Sequence, residues 1–147
     1  MRSAKHTLNT ASAYSEWGLT FLRLVVGAVF LRHGLLKLLG FHAAVGLFEA
    51  MHMPLPFLSA VVVTLVEVLG GAAILLGLFP RLAAALIAID MLVAVLVVYF
   101  KPTFFQKGGI ELPITLFAAS VALALLGGGA ASLDNFIFKP TSRARTS

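Results

Sequence analysis

FLSAVVVTLVEVLGGAAILLGLF, residues 57–79, decides the fold. Its only charged side chain is Glu67. A helix that crosses a bilayer needs about 20 mostly apolar residues, and this stretch supplies them without a break. Three more apolar runs stand around it, at 19–39, 81–100 and 110–128. Four spans and their connections use nearly all of the 147 residues and leave no room for a second domain. The expected architecture is all-α, a bundle of four transmembrane helices over 19–131. A polar N-terminal tail, 1–18, and a basic C-terminal tail, 132–147, flank it.

Composition supports lipid as the solvent. Hydrophobic residues make up 60% of the chain and charged ones 12%, where a soluble domain carries about a quarter charged. The mean hydropathy is +1.01. The formal charge of +5 does not imply a nucleic-acid partner, because the basic residues form no stripe interleaved with aromatics. Cysteine is absent, which excludes thiolate-bound iron–sulfur clusters and disulfides within this chain. No small-residue cleavage pattern follows the first run, so that run reads as a retained signal-anchor helix. Trp17 lies just before it, at headgroup level.

Local signals set the connections. Gly40 ends the first helix, and Pro54-Leu55-Pro56 closes a linker that starts at Phe41. Phe79-Pro80 makes a turn so tight that the second and third helices must be antiparallel. Lys101-Pro102 stops the third helix. Pro113 falls in the first turn of the fourth, where it is tolerated, and Gly127–Gly129 ends it. Lys and Arg near helix ends orient the bundle. Arg2, Lys5, Arg81, Lys139, Arg143 and Arg145 share one side, against Lys101, Lys107 and Lys37 on the other. Both termini are expected in the cytoplasm.

The charges inside the spans are where function is sought. A central Asp, Lys or Arg costs about 2.5–3.5 kcal/mol on insertion. Glu67 and Asp90 each lie about 15 Å into their helices, and Arg32 with His33 lies past the middle of the first. Arg32, Glu67 and Asp90 are therefore expected to face protein or water. Lys37 is near enough to a helix end to snorkel. Glu67 shares its face with Ala60, Thr64, Gly70 and Gly71, and small residues there let another helix approach closely. Arg23, Arg32 and Lys37 stand against Glu67, Asp90 and Glu111, three cations to three anions. One reading is an ion-pair network that fixes helix packing. The other is a polar pocket for a small ligand, a quinone headgroup or protons, built from Arg32, His33, Lys37, Glu67, Asp90 and Glu111.

His33 is the one histidine within a span. A transmembrane b-haem takes two axial histidines, so no haem is expected. His42, His52 and Glu49 match no metal signature, and no metal site is expected. Gly127–Gly129 follows a helix and lacks the lysine of a P-loop.

The order of these motifs resembles the DoxX family of small bacterial membrane proteins. The first helix carries Arg23-Leu24, Gly27, Phe30-Leu31-Arg32-His33-Gly34 and Lys37. The second hairpin carries Glu67-Val68-Leu69-Gly70-Gly71 and Leu76-Gly77-Leu78-Phe79-Pro80-Arg81-Leu82-Ala83. Asp90-Met91-Leu92, Gly108-Gly109-Ile110-Glu111-Leu112 and Ser132-Leu133-Asp134 complete the match. Arg32 departs from it, because an apolar or aromatic residue is expected before the His-Gly pair. The resemblance implies a four-helix protein of the bacterial cytoplasmic membrane with a link to redox chemistry. Relatives include a subunit of a thiosulfate:quinone oxidoreductase and components of oxidative-stress membrane complexes. It supplies no agreed catalytic residues. The expectation is an accessory or quinone-linked subunit, with other membrane subunits or a second copy of the chain as partners. A small proton-coupled transporter and a purely structural module without catalytic activity are the alternatives.

Overall fold

The computed structural model describes residues 2–98 and 110–138, with side chains from Tyr14 onward to residue 97 and again from Ile110. The expected end of the third helix at Phe100, the loop bearing Lys101 and Lys107, and residues 139–147 lie outside them. So do the side chains of Arg2 and Lys5. The described chain is all-α: α1 (Arg2–Leu39), α2 (Phe41–Ala50), α3 (Pro56–Leu65), α4 (Gly71–Leu76), α5 (Pro80–Val93), α6 (Glu111–Leu126) and α7 (Leu133–Ile137). Two π-helical turns, Val66–Gly70 and Ala94–Val98, interrupt the regular helix. The first joins α3 to α4 into one span, and the second prolongs α5.

Among the described residues, three stretches are long and apolar enough to cross a membrane: Tyr14–Leu39, Pro56–Leu76 and Pro80–Val97. α6 is equally apolar but shorter, at 16 residues. Large apolar side chains cover the outside; Phe21 is 70% exposed and Leu125 71%. Patches this extensive mark a surface that meets something other than water.

Three expectations change. Residues 2–18 are helical and continue into the first span rather than forming a separate tail. The linker after Gly40 is itself a helix, α2, with Ala44 N–H bonded to Gly40 O at 3.0 Å across the bend. The second span is not a uniform α-helix, because a π turn sits at its middle around Glu67.

α1 runs antiparallel to the α3–α4 span, and glycines bring the two backbones together. A methyl group on Gly27 would lie 2.6 Å from Leu75 N, and one on Gly34 would lie 2.6 Å from Val68 N. Gly70 faces Ile87 of α5, and Gly71 faces Phe30 and Leu31 of α1. Val26, Phe30, Ile74, Ala83, Ala84, Ile87, Met91 and Leu123 form the common core of α1, α4, α5 and α6. A smaller cluster of Phe48, Met53 and Ala60 closes the α2–α3 end, with Phe41 and Phe57 edge to face at 5.7 Å.

The opposite end is closed by backbone chemistry. Gly77, at φ +74°, terminates α4. Leu78 N–H reaches Ala73 O at 2.9 Å and Gly77 N–H reaches Ile74 O at 3.1 Å, the pairing of a Schellman motif. Pro80 then opens α5 at its first turn, where the missing N–H costs nothing.

Candidate functional site: a buried ion pair at mid-span

Glu67 is 3% exposed and lies about 16 Å from the Pro56 end of its span and about 14 Å from the Leu76 end. A carboxylate at that depth needs a partner. Lys37 supplies it. Its Nζ lies 2.5 Å from Glu67 Oε2. The geometry follows from helical periodicity. Gly34 seats α1 against Glu67 and Val68, and Lys37, three residues on, shares that face. Lys37 does not snorkel outward, as its nearness to the end of α1 suggests. α2 extends the bundle beyond Leu39 and leaves the lysine inside it.

Asp90 of α5 comes to the same level, within electrostatic reach of both Glu67 and Lys37. Its Oδ2 is buried and has no hydrogen-bond partner among the described residues. Thr64 Oγ1, one turn before Glu67, and Ser120 Oγ on α6 are likewise buried and unpartnered. Buried polar atoms are nearly always paired with protein or water. Three helices thus direct unsatisfied oxygens into the interior, and one cation is set against two carboxylates.

The other expected members stand apart. Arg32 and His33 are on the exposed wall of α1. At 100° per residue, Arg32 points almost directly away from the face that Gly34 buries, so of the two expected surroundings, protein and water, protein is not the one on this face. Glu111 is the first residue of α6 and half-buried. With Arg81 beside Leu126, it lies about 9 Å beyond the level of Asp90 along the bundle. Gly70 and Gly71 are buried between helices, as their place on the Glu67 face suggests.

Arg23 is the residue whose partners sequence reasoning missed: it stands at the helix end of α4, but its partners are carbonyls rather than an anion. It is 2% exposed, and its guanidinium donates to carbonyls: Nη1 to Ile74 O at 2.9 Å and Leu75 O at 2.6 Å, Nη2 to Ala131 O at 2.8 Å. At the end of α4 the carbonyls lack i→i+4 partners, Ile74 O receiving from the backbone only the Gly77 N–H of the turn, and a planar fork of donors suits them. Around it, Ser132 Oγ donates to Gly77 O at 2.6 Å, and Phe79 N–H donates to Asp134 Oδ1 at 3.0 Å. The signal in the sequence was the late Ser132-Leu133-Asp134 motif, whose polar atoms have a purpose only if they return to the helix ends.

A chain of apolar helices wrapped around a mid-span Lys–Glu pair is a multi-pass membrane protein. It belongs to the DoxX family, whose profile matches residues 18–100. It is 33% identical over 124 residues to the "Putative oxidoreductase CatD" of Bacillus subtilis (strain 168), covering 84% of this chain and 90% of that one. It is also 33% identical over 144 residues to an "Uncharacterized protein" of Haemophilus influenzae (strain ATCC 51907 / DSM 11121 / KW20 / Rd), covering 90% of this chain and 99% of that protein. No solved structure matches the chain significantly.

Proposed function

We propose that this protein is an accessory, quinone-linked subunit of a redox system in the bacterial cytoplasmic membrane. It crosses the bilayer four times with both termini in the cytoplasm. α6, about 24 Å long, serves as the fourth span, since a bilayer adapts to a mismatch of a few ångströms. The carrying observation is the unpartnered Asp90 Oδ2 beside the Lys37–Glu67 pair.

The residues present fit a quinone headgroup. Lys37 Nζ is a donor for a carbonyl oxygen, and the carboxylates of Asp90 and Glu67 are acceptors for a hydroxyl. Both kinds of group stand at the same depth in the bundle. A bound quinone would supply two-electron, two-proton carrier chemistry. The protein's part is to orient the headgroup, keep water out and hold a proton at a carboxylate. The relative named as an oxidoreductase supports this reading, as does family membership.

The test is quinone extraction from the purified protein, paired with electron flux in membranes of a deletion strain. Quinone is expected to copurify, to fall several-fold in Asp90→Asn and Lys37→Met, and flux is expected to drop in the deletion. Quinone-free protein with unaltered flux and no redox partner would remove the proposal. A second reading, a small proton-coupled transporter, draws on the two carboxylates that share one cation. Proton-linked uptake in liposomes that Glu67→Gln abolishes would favour it.

A further inference from the structure

The end of the bundle closed by Arg23 also carries an open cleft of about 440 Å³. It lies between the start of the first span, the first turn of α5 and the glycines after α6. Its walls hold Glu16, Arg81, Asp134 and Asn135. These positions fall at one end of the bundle, where α4 ends at Leu76, α5 begins at Pro80 and α6 ends at Leu126.

The charges in this cleft do not satisfy one another. Arg81 forms no ion pair with Glu16 or Asp134 among the described residues, and its Nη2 has only a long contact of 3.4 Å to Leu126 O. Asp134 uses Oδ1 to hold Phe79 N–H and keeps its second oxygen. One cation and two carboxylates therefore line one cavity without meeting. The rim is apolar and outward: Leu82 is 63% exposed, Leu126 61% and Phe79 54%. Phe79 is held at φ +43°, a conformation that a non-glycine residue adopts only when its surroundings impose it. Here those surroundings are the Asp134 hydrogen bond and the ring of Phe138 at 5.7 Å.

We infer that this cleft binds the headgroup of a zwitterionic phospholipid bearing a primary amine, phosphoethanolamine in chemical class. The phosphate lies against Arg81, the ammonium lies between Glu16 and Asp134, and the acyl chains run down the rim of Leu82 and Leu126. Guanidinium–phosphate and ammonium–carboxylate contacts are charge-assisted and strong for their size. A trimethylated amine has no N–H to donate and matches the carboxylates poorly. A lipid with phosphate but no amine leaves both carboxylates facing an anion, which is repulsive. This inference is independent of the mid-span cluster.

Native mass spectrometry of the purified full chain tests it, with phosphatidylethanolamine, phosphatidylcholine and phosphatidylglycerol of identical acyl chains. Phosphatidylethanolamine is expected to be retained best. Glu16→Gln and Arg81→Gln are each expected to weaken its retention about tenfold, the loss of one charge-assisted hydrogen bond. Glu49→Gln, at the other end of the bundle, is expected to change nothing. Equal retention of the three lipids, or variants that keep the wild-type order at full strength, overturns the assignment. So does displacement by soluble phosphoethanolamine at the same concentration, which would make the ligand a free metabolite. Size-exclusion profiles of the variants separate lost binding from lost folding.

Discussion

Glu67 keeps its carboxylate in the middle of a lipid-facing span because Lys37 reaches it from another helix. The two sides of the pair are unequal. The Glu67 side chain is 4% exposed and that of Lys37 24%, so removing the lysine strands the buried partner, while removing the carboxylate leaves a cation with a route outward. Lys37→Met is accordingly expected to destabilise the bundle by about 3 kcal/mol and Glu67→Gln by distinctly less, measured by unfolding in detergent. Equal losses in the two variants would show that the pair is not buried asymmetrically. The need of Glu67 and Asp90 for protein surroundings was readable from residue order, since depth follows from position and depth sets the cost. The choice of Lys37 over Arg32 as the partner was not. It turns on which face of α1 carries Gly34, and one residue of rotation moves a side chain by 100°.

At the scale of helices, close approach is set by glycine rather than by large side chains meeting each other. Without a hydrophobic drive between helices in lipid, contact area must come from backbones that lie near one another. A Cβ on Gly34 would meet the Val68 backbone nitrogen at 2.6 Å and the Glu67 carbonyl carbon at 2.9 Å, besides Val68 Cγ2 at 2.7 Å, and the backbone atoms cannot turn aside. Gly34→Ala is expected to push α1 off the second span and open the Lys37–Glu67 pair. Cysteine cross-linking between the two helices would report this as a loss of yield; wild-type yield in the variant would refute the packing drawn here. Hydropathy revealed the long spans because lipid imposes a continuous apolar run. It could not reveal α2, a ten-residue helix that carries His42 and Glu49. It was also blind to the π turn at Val66–Gly70, which inserts one residue into the register without changing what the run is made of. π turns gather at functional positions, and this one holds Glu67.

For the molecule as a whole, the proposed orientation rests on basic residues near helix ends, with Arg81 and both tails expected on one side. A phosphatase that folds only outside the cytoplasm, fused after Ser147, is expected to be inactive, and the same enzyme inserted after His52 active. The reverse pattern would invert the bundle. The charge-lined cleft would then face the other leaflet. Family membership was legible from motif order between Leu22 and Asp134, because several short pieces in sequence are more specific than any one of them. The clamp at Arg23 was only hinted at by Ser132 and Asp134, because its own carbonyl acceptors leave no trace in residue identity.

That clamp has a consequence for biogenesis. Arg23 leaves the ribosome early, yet one of its three acceptors, Ala131 O, is made more than a hundred residues later. A nascent chain therefore carries an incompletely satisfied guanidinium until Ala131 is made, and the bundle is locked only when the segment around Ala131 folds back across the end. A product cut short before Ala131 leaves the insertion machinery with its first helix still unfastened.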